Sequence, residues 1–253
     1  DTRQMELTAA YLRQLGVEVD IHLAKDLINY VQYDLLHFFN ILRPADILYH
    51  AKKSGKPYVI STIFLDYGKF EKNRKGWRGW VNKFLREDDI EYLKVIARYL
   101  FNGETIRSKK YLWWGQCRSV KYLIKNAAAL LPNSAHEYER LYKKYELAAP
   151  YHIIPNAIDT RMYLITKKIE EKYKDAVLCG ARIEERKNQL NLIRALNNAP
   201  YKVIIHGQPS PNNYAYYKHC KKEAADNIFF SGRMSEEELY ILFNSARVHV
   251  LPR

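Results

Sequence analysis

The sequence predicts an α/β protein built from two doubly wound domains, and three observations carry that reading. Short apolar runs of strand length recur along the chain, and amphipathic helical segments lie between them. In the second half the strand centres fall near Val177, Ile204, Phe229 and Val250, a spacing of roughly 20 to 27 residues that fits βαβ units and parallel sheets. The pattern also restarts beyond Asn156, which places one domain at 1–155 and a second at 156–253.

Taken in order, residues 2–15 read as a helix with Thr2 or Asp1 as N-cap and Gly16 as its stop. Met5, Ala9, Leu12 and Leu15 form its apolar stripe. "VEVDIHL" alternates as a strand and "DLLHFFN" is a second, more buried one. Pro44 opens and Gly55 closes a short helix that leads into the strand "PYVIST". "AAALLPNS" is another buried strand, after which Ser134 caps a helix with Glu137 as its capping-box partner. "YHIIPNAID" is a further strand and turn. The chain opens on a helix where a parallel α/β domain ordinarily opens on a strand. It stops at the carboxyl end of a strand, "VHVLPR", so it is expected to be incomplete at both ends.

Bulk composition narrows the classes. With 253 residues, 47% of them hydrophobic, the chain can bury two modest cores. No apolar run approaches the roughly 18–20 residues of a membrane span, and no signal peptide is visible. Cys117, Cys179 and Cys220 are odd in number and lack CxxC spacing, as expected of free thiols in a reducing cytoplasm. The formal charge of +13 calls for an anionic partner: nucleic acid, a lipid surface or a phosphorylated substrate. Between Lys52 and Lys125 there are 18 Lys and Arg against 7 Asp and Glu, so most of the excess sits there.

The most informative stretch is "CGARIEERKNQLNLIRAL", Cys179 to Leu196. It reads as a buried strand ending at Gly180, a turn, and a helix that starts near Lys187. A helix N-terminus already carries partial positive charge, so Arg182, Arg186 and Lys187 sit at the unfavourable end. Ligands of open α/β sheets bind outside the carboxyl ends of the strands. A phosphate there would meet backbone N–H donors, Arg182 and Lys187. The same charges could equally form a solvated cluster with Glu184 and Glu185. Gly207, after the strand "IIH", permits a close ligand approach or simply a turn. No histidine, cysteine or carboxylate spacing marks a metal site. There is no Walker loop and no G-x-S-x-G.

These segments together resemble retaining family 4 glycosyltransferases of the GT-B fold. "CGARIEERKNQLNLIRAL" resembles their Gly-Arg-(x4)-Lys-Gly/Asn segment, and "IIPNAID" their Ile-Pro-Asn-Gly-Val-Asp interdomain segment. "NIFFSGRMSEEELYILFNSARVHVLPR" resembles the strand, helix and strand that line their nucleotide pocket. "AAALLPNSAHEYERL" looks like their serine-bearing strand-to-helix junction. The likeness covers most of residues 130–253, with an echo over 1–65. It implies two Rossmann-like domains and transfer from a nucleotide-sugar donor to a glycan or lipid-linked acceptor, with retention. It implies that Arg182 and Lys187 hold the donor diphosphate and that Gly180, Gly207, Gly232, Arg233 and Met234 line the donor pocket. Ser134 and Asn156 would lie at the cleft, and no metal or other cofactor is expected. The family's two glutamates separated by seven residues would fall just past Arg253, so no catalytic residue is named and this segment by itself is expected to be inactive. The family's histidine after the strand equivalent to "PYVIST" is absent, Ala157 replaces a glycine, and Arg253 stands where serine is common.

A basic, aromatic insertion at about 68–125 interrupts the first domain. "GKFEKNRKGWRGWVNKFLRE" interleaves cations with Trp77, Trp80 and Phe84, and Ile106 to Lys125 carries six cations and no acid. Segments 69–86 and 106–125 suit an anionic membrane surface at the cytoplasmic face. They also suit a packed insertion whose aromatics belong to the core, or single-stranded nucleic acid, although no nucleic-acid partner is expected. His37, His206 and His249 lie in strand-like runs and are expected in the core or the cleft. The rival to an enzyme is a non-catalytic basic α/β protein that binds nucleic acid or anionic lipid.

Overall fold

The computed structural model describes residues 2–64, 85–157 and 169–252. Its contacts divide the chain into two compact units, Asp1–Ala157 and Ile158–Arg253. In the first, helix α1 (Thr2–Gln14) precedes strand β1 (Leu36–Phe39), helix α2 (Pro44–Ser54) and strand β2 (Tyr58–Ser61). Helices α3 (Glu87–Asn102) and α4 (Lys109–Asn126), strand β3 (Ala129–Leu131) and helix α5 (Ala135–Tyr145) follow. The three strands form a parallel sheet in the order β1-β2-β3. Pro44 starts α2, and Gly55, in the left-handed conformation at φ 63°, ends it, as the sequence indicates.

The expected strand "VEVDIHL" does not form. Residues 17–23 are mostly exposed and belong to no sheet, so their alternation has no buried face to serve and no neighbouring strand to pair with. "YHIIP" instead runs beside β3. Leu130 N donates to Pro150 O at 2.8 Å, His152 N to Leu130 O at 3.0 Å and Ile154 N to Pro132 O at 2.8 Å.

The insertion divides its aromatics between core and surface. Tyr111, Val120, Leu123 and Ile124 of α4 are buried with Ile60, Leu130 and Tyr145. Gly115, at φ 66° and ψ −171°, kinks α4 in a conformation that essentially only glycine adopts. Trp113 is 88% exposed and Phe101, near the end of α3, 84% exposed. Lys110 lies 4.9 Å from the Trp114 ring centroid and Arg118 5.4 Å from it. The segment 69–86 lies almost wholly outside the described residues. Among those described, no helix is long and apolar enough to cross a membrane.

The second unit comprises strand β4 (Val177–Gly180), helix α6 (Gln189–Leu196), strand β5 (Val203–His206) and helix α7 (Tyr214–Glu223). Strand β6 (Ile228–Gly232), helix α8 (Glu236–Ser245) and strand β7 (Val248–His249) complete it. The sheet is parallel, in the order β6-β5-β4-β7. Alternate residues of each inner strand face opposite sides, which makes it doubly wound. Cys179, Val203 and Ile205 pack with Ile193 and Cys220, while Leu178 and Ile204 pack with Leu242. Chain order reverses between β4 and β7. A crevice at the carboxyl ends of these two strands is where open α/β sheets take ligands.

Candidate functional site

In the second unit the backbone past β4 stays paired with that past β5. Ala181 N donates to His206 O at 3.0 Å and Ile183 N to Gln208 O at 3.1 Å. Gly207 makes this possible: at φ +135° it passes so close that a Cβ would stand 2.1 Å from the Ala181 carbonyl oxygen. The glycine is therefore needed first for the approach of one turn to the other. Arg182 is carried on the paired turn with an exposed side chain. Its carbonyl accepts a 2.9 Å bond from Gln189 Nε2, and Gln189 is fully buried, so the turn is tied to the first residue of α6.

Lys187 does not lie in the first turn of the α-helix, as the spacing predicts. It ends a 3-10 turn, Glu185–Lys187, and Asn188 in the left-handed region (φ 57°) separates it from α6. The expected backbone donors are also engaged. Lys187 N bonds Glu184 O at 2.8 Å, Leu190 N bonds Tyr216 Oη at 2.9 Å, and Asn191 N bonds Asn188 O at 3.2 Å. An anion here would depend on cationic side chains more than on the helix end. The charge-cluster alternative applies to Arg186, which pairs with Glu184 at 2.6 Å. Lys187 is close enough to Cys179 to oppose the effect of burial, which pushes that thiol up to about 11.

The other donor-pocket residues separate. Gly180, on β4 beside β7, donates its N–H to His249 Nε2 at 3.2 Å, and a Cβ there would meet Phe243 at 3.2 Å. Gly232 is left-handed at φ 68° with open space around it, and Arg233 is exposed. The Met234 side chain packs against the cluster of Leu178, Ile204 and Leu242. His206 is half-buried and bonds Ser231 Oγ at 2.9 Å, and desolvation lowers its pKa. His249 is exposed, because β7 is a two-residue edge strand.

In the first unit a small polar pocket lies at the carboxyl ends of β1, β2 and β3. His37, Ser61, Asn133 and Asn156 line it with Gln4 and Thr8 of α1. His37 Nε2 and Ser61 Oγ are 2.9 Å apart, and burial lowers the imidazole pKa to about 4, so the ring is neutral near pH 7. Asn156 lines this first-unit pocket. Ser134 does not line it, since its hydroxyl caps α5 by accepting from Glu137 N at 3.2 Å.

Glu137 departs from its expected capping-box role. Its carboxylate turns inward, 1% exposed, and accepts from Asn133 N at 2.8 Å, Phe64 N at 2.6 Å and the Thr62 hydroxyl. The S-x-x-E spacing that signals a cap also fits a buried clamp, and periodicity cannot separate the two. Among the described residues no group of histidines, cysteines and carboxylates could hold a metal ion.

Residues 164–253 match the family model of the glycosyl transferases group 1. No curated protein matches the chain in sequence. Among solved structures it is similar to sucrose-phosphate synthase from Thermosynechococcus elongatus, with 15% identity and a TM-score of 0.62 over 87% of this chain and 50% of that one. It is also similar to Anabaena HepE in complex with UDP, with 12% identity and a TM-score of 0.50 over 87% of this chain and 74% of that one. The chain thus spans about half the length of the synthase it resembles. With the two parallel sheets, these likenesses define the fold as Rossmann-like and of the GT-B type.

Proposed function

We propose that the protein is a glycosyltransferase that moves a sugar from a nucleotide-sugar donor to a glycan or glycolipid acceptor, with retention, in cell-surface polysaccharide synthesis. The observation that carries this reading is the place of Arg182. It stands exposed on the turn past β4, beside the β4/β7 reversal and within the segment that matches the group 1 transferases. Glycosyl transfer breaks the bond between the anomeric carbon and the phosphate oxygen, and the electron pair leaves on the diphosphate. Arg182 offers a planar fork to those oxygens and Lys187 a second positive charge, and both act as the leaving-group charge grows. With two cations in that role, the reaction runs without a metal ion. Gly207 and Gly232 let the backbone lie near the donor.

UDP, which HepE holds, is a fitting probe. Calorimetry of the chain with UDP in EDTA is expected to give saturable binding. Arg182→Ala and Lys187→Ala should each weaken it by about tenfold, or about 1.4 kcal/mol. Arg194→Ala, which breaks a surface pair with Glu223, should leave it unchanged. Unchanged affinity in both site variants, or binding that needs added Mg²⁺, would sink the assignment.

The acceptor side is proposed to work at an anionic membrane surface on the cytoplasmic face. Exposed Trp113, Lys109, Lys110 and Arg118 on α4 and exposed Phe101 on α3 support this, since interfacial aromatics and cations together suit lipid headgroups. Sedimentation with vesicles should show binding to anionic lipid that salt weakens and that Trp113→Ala reduces at least about threefold. Equal binding to neutral vesicles would contradict it.

A further inference from the structure

The turn that carries Arg182 is held from two sides. Ala181 N and Ile183 N both donate toward the turn after β5, to His206 O and Gln208 O. Successive residues of an extended chain address opposite neighbours, so the Arg182 carbonyl faces away from β5. Among the described residues β7, on that other side, pairs with β4 only at Val177 and Leu178. The Arg182 carbonyl instead accepts the 2.9 Å bond from Gln189 Nε2. Gln189 thus does for Arg182 what a neighbouring strand would otherwise do.

Its place in the core is unfavourable for a polar side chain. Gln189 is fully buried, on the same short helix as the buried Leu192 and Ile193. Its Oε1 has no hydrogen-bond partner among the described residues. A buried oxygen left unpaired destabilises, and an apolar side chain of similar size would avoid that cost. What the glutamine provides in exchange is one bond, and that bond goes to the residue read as the diphosphate contact.

We propose that Gln189 is a positioning residue for the diphosphate site: its buried amide holds the Arg182 backbone and so fixes the base from which that exposed guanidinium reaches. The start of α6 can do little of this work, because Lys187 N, Leu190 N and Asn191 N are already engaged. An anion there relies on side-chain cations. A long cationic side chain loses rotamer freedom on binding, and a fixed base reduces that loss. The role of Arg182 rests on the glycosyltransferase reading, whereas the tie between the two residues does not.

The test uses the whole chain with Gln189→Met, which keeps side-chain length and removes the amide. Gln189→Leu replaces it should that variant fail to fold. Hydrogen exchange reads the tie by itself: the Ile183 amide should exchange about tenfold faster in the variant, and the Leu178 amide of β4 at its former rate. Calorimetry should show UDP bound about fivefold more weakly, with a melting temperature within about 5 °C of the unaltered chain. In an Arg182→Ala background the same substitution should change UDP affinity by less than about twofold, since no guanidinium is left to position. A merely structural residue would instead weaken binding equally in both backgrounds. That result overturns the proposal, as does unchanged UDP affinity or unchanged Ile183 exchange in the variant. If the unaltered chain binds no UDP, the donor reading itself fails and the positioning role falls with it, while Ile183 exchange still reports the tie.

Discussion

Replacing Gly207 with alanine is expected to be the most damaging single-methyl change in the second unit. The new Cβ would stand 2.1 Å from the Ala181 oxygen and 2.8 Å from its carbonyl carbon. Both are backbone atoms, so no rotamer change can clear them. Relief requires parting the turns after β4 and β5, which would break the bonds from Ala181 N to His206 O and from Ile183 N to Gln208 O. The φ of +135° adds a conformation that alanine disfavours. Overpacking with backbone strain makes the expected loss about 3 kcal/mol or more. For a unit of this size that is a fall in melting temperature of roughly 10–20 °C. Because Arg182 rides on the displaced turn, UDP affinity should fall as well. A variant with native melting and native UDP binding would show that the turns are not packed as described.

Glu137→Ala should produce a comparable loss in the first unit, for a different reason. Removing the carboxylate leaves three donors, the Thr62 hydroxyl and the Phe64 and Asn133 amides, without their partner. Thr62 and Phe64 are at most 1% exposed, so water cannot readily replace it. Orphaned buried donors cost about 1–3 kcal/mol each, and breaking a buried charged network typically costs about 3–5 kcal/mol in all. The control lies two residues on. Glu139 pairs with Lys143 at 2.7 Å on the surface of the same helix, and Glu139→Ala should change stability by no more than about 0.5 kcal/mol. Chemical denaturation of the two variants side by side tests the contrast, and equal midpoints would refute the clamp.

Much of the fold was legible because periodicity reports burial. Strands β4 and β5 are short apolar runs, and a strand covered on both faces needs such a run. Pro44 and Gly55 marked the ends of α2 through local backbone chemistry, which acts without tertiary partners. "VEVDIHL" failed on the same logic in reverse. Alternation records which residues could face a core, but a strand also needs a neighbour for its N–H and C=O groups.

The site divides along the same line. Position in the chain was enough to nominate Arg182, Lys187 and Gly207 as candidates, because strand ends and a reversed charge pattern are local features of a sequence. Distance in space was not available there. Only the folded chain brings the Ala181 carbonyl against Gly207, lays Tyr216 over the Leu190 amide and packs Met234 against the core. The contrast is sharpest at Glu137. Its spacing from Ser134 is that of a helix cap, and the cap half formed, with Ser134 accepting from the Glu137 amide. The side chain went instead to Thr62 and Phe64, more than seventy positions away in sequence. A buried carboxylate seeks donors wherever the fold supplies them, so sequence sets which groups can bond and tertiary packing decides which ones do.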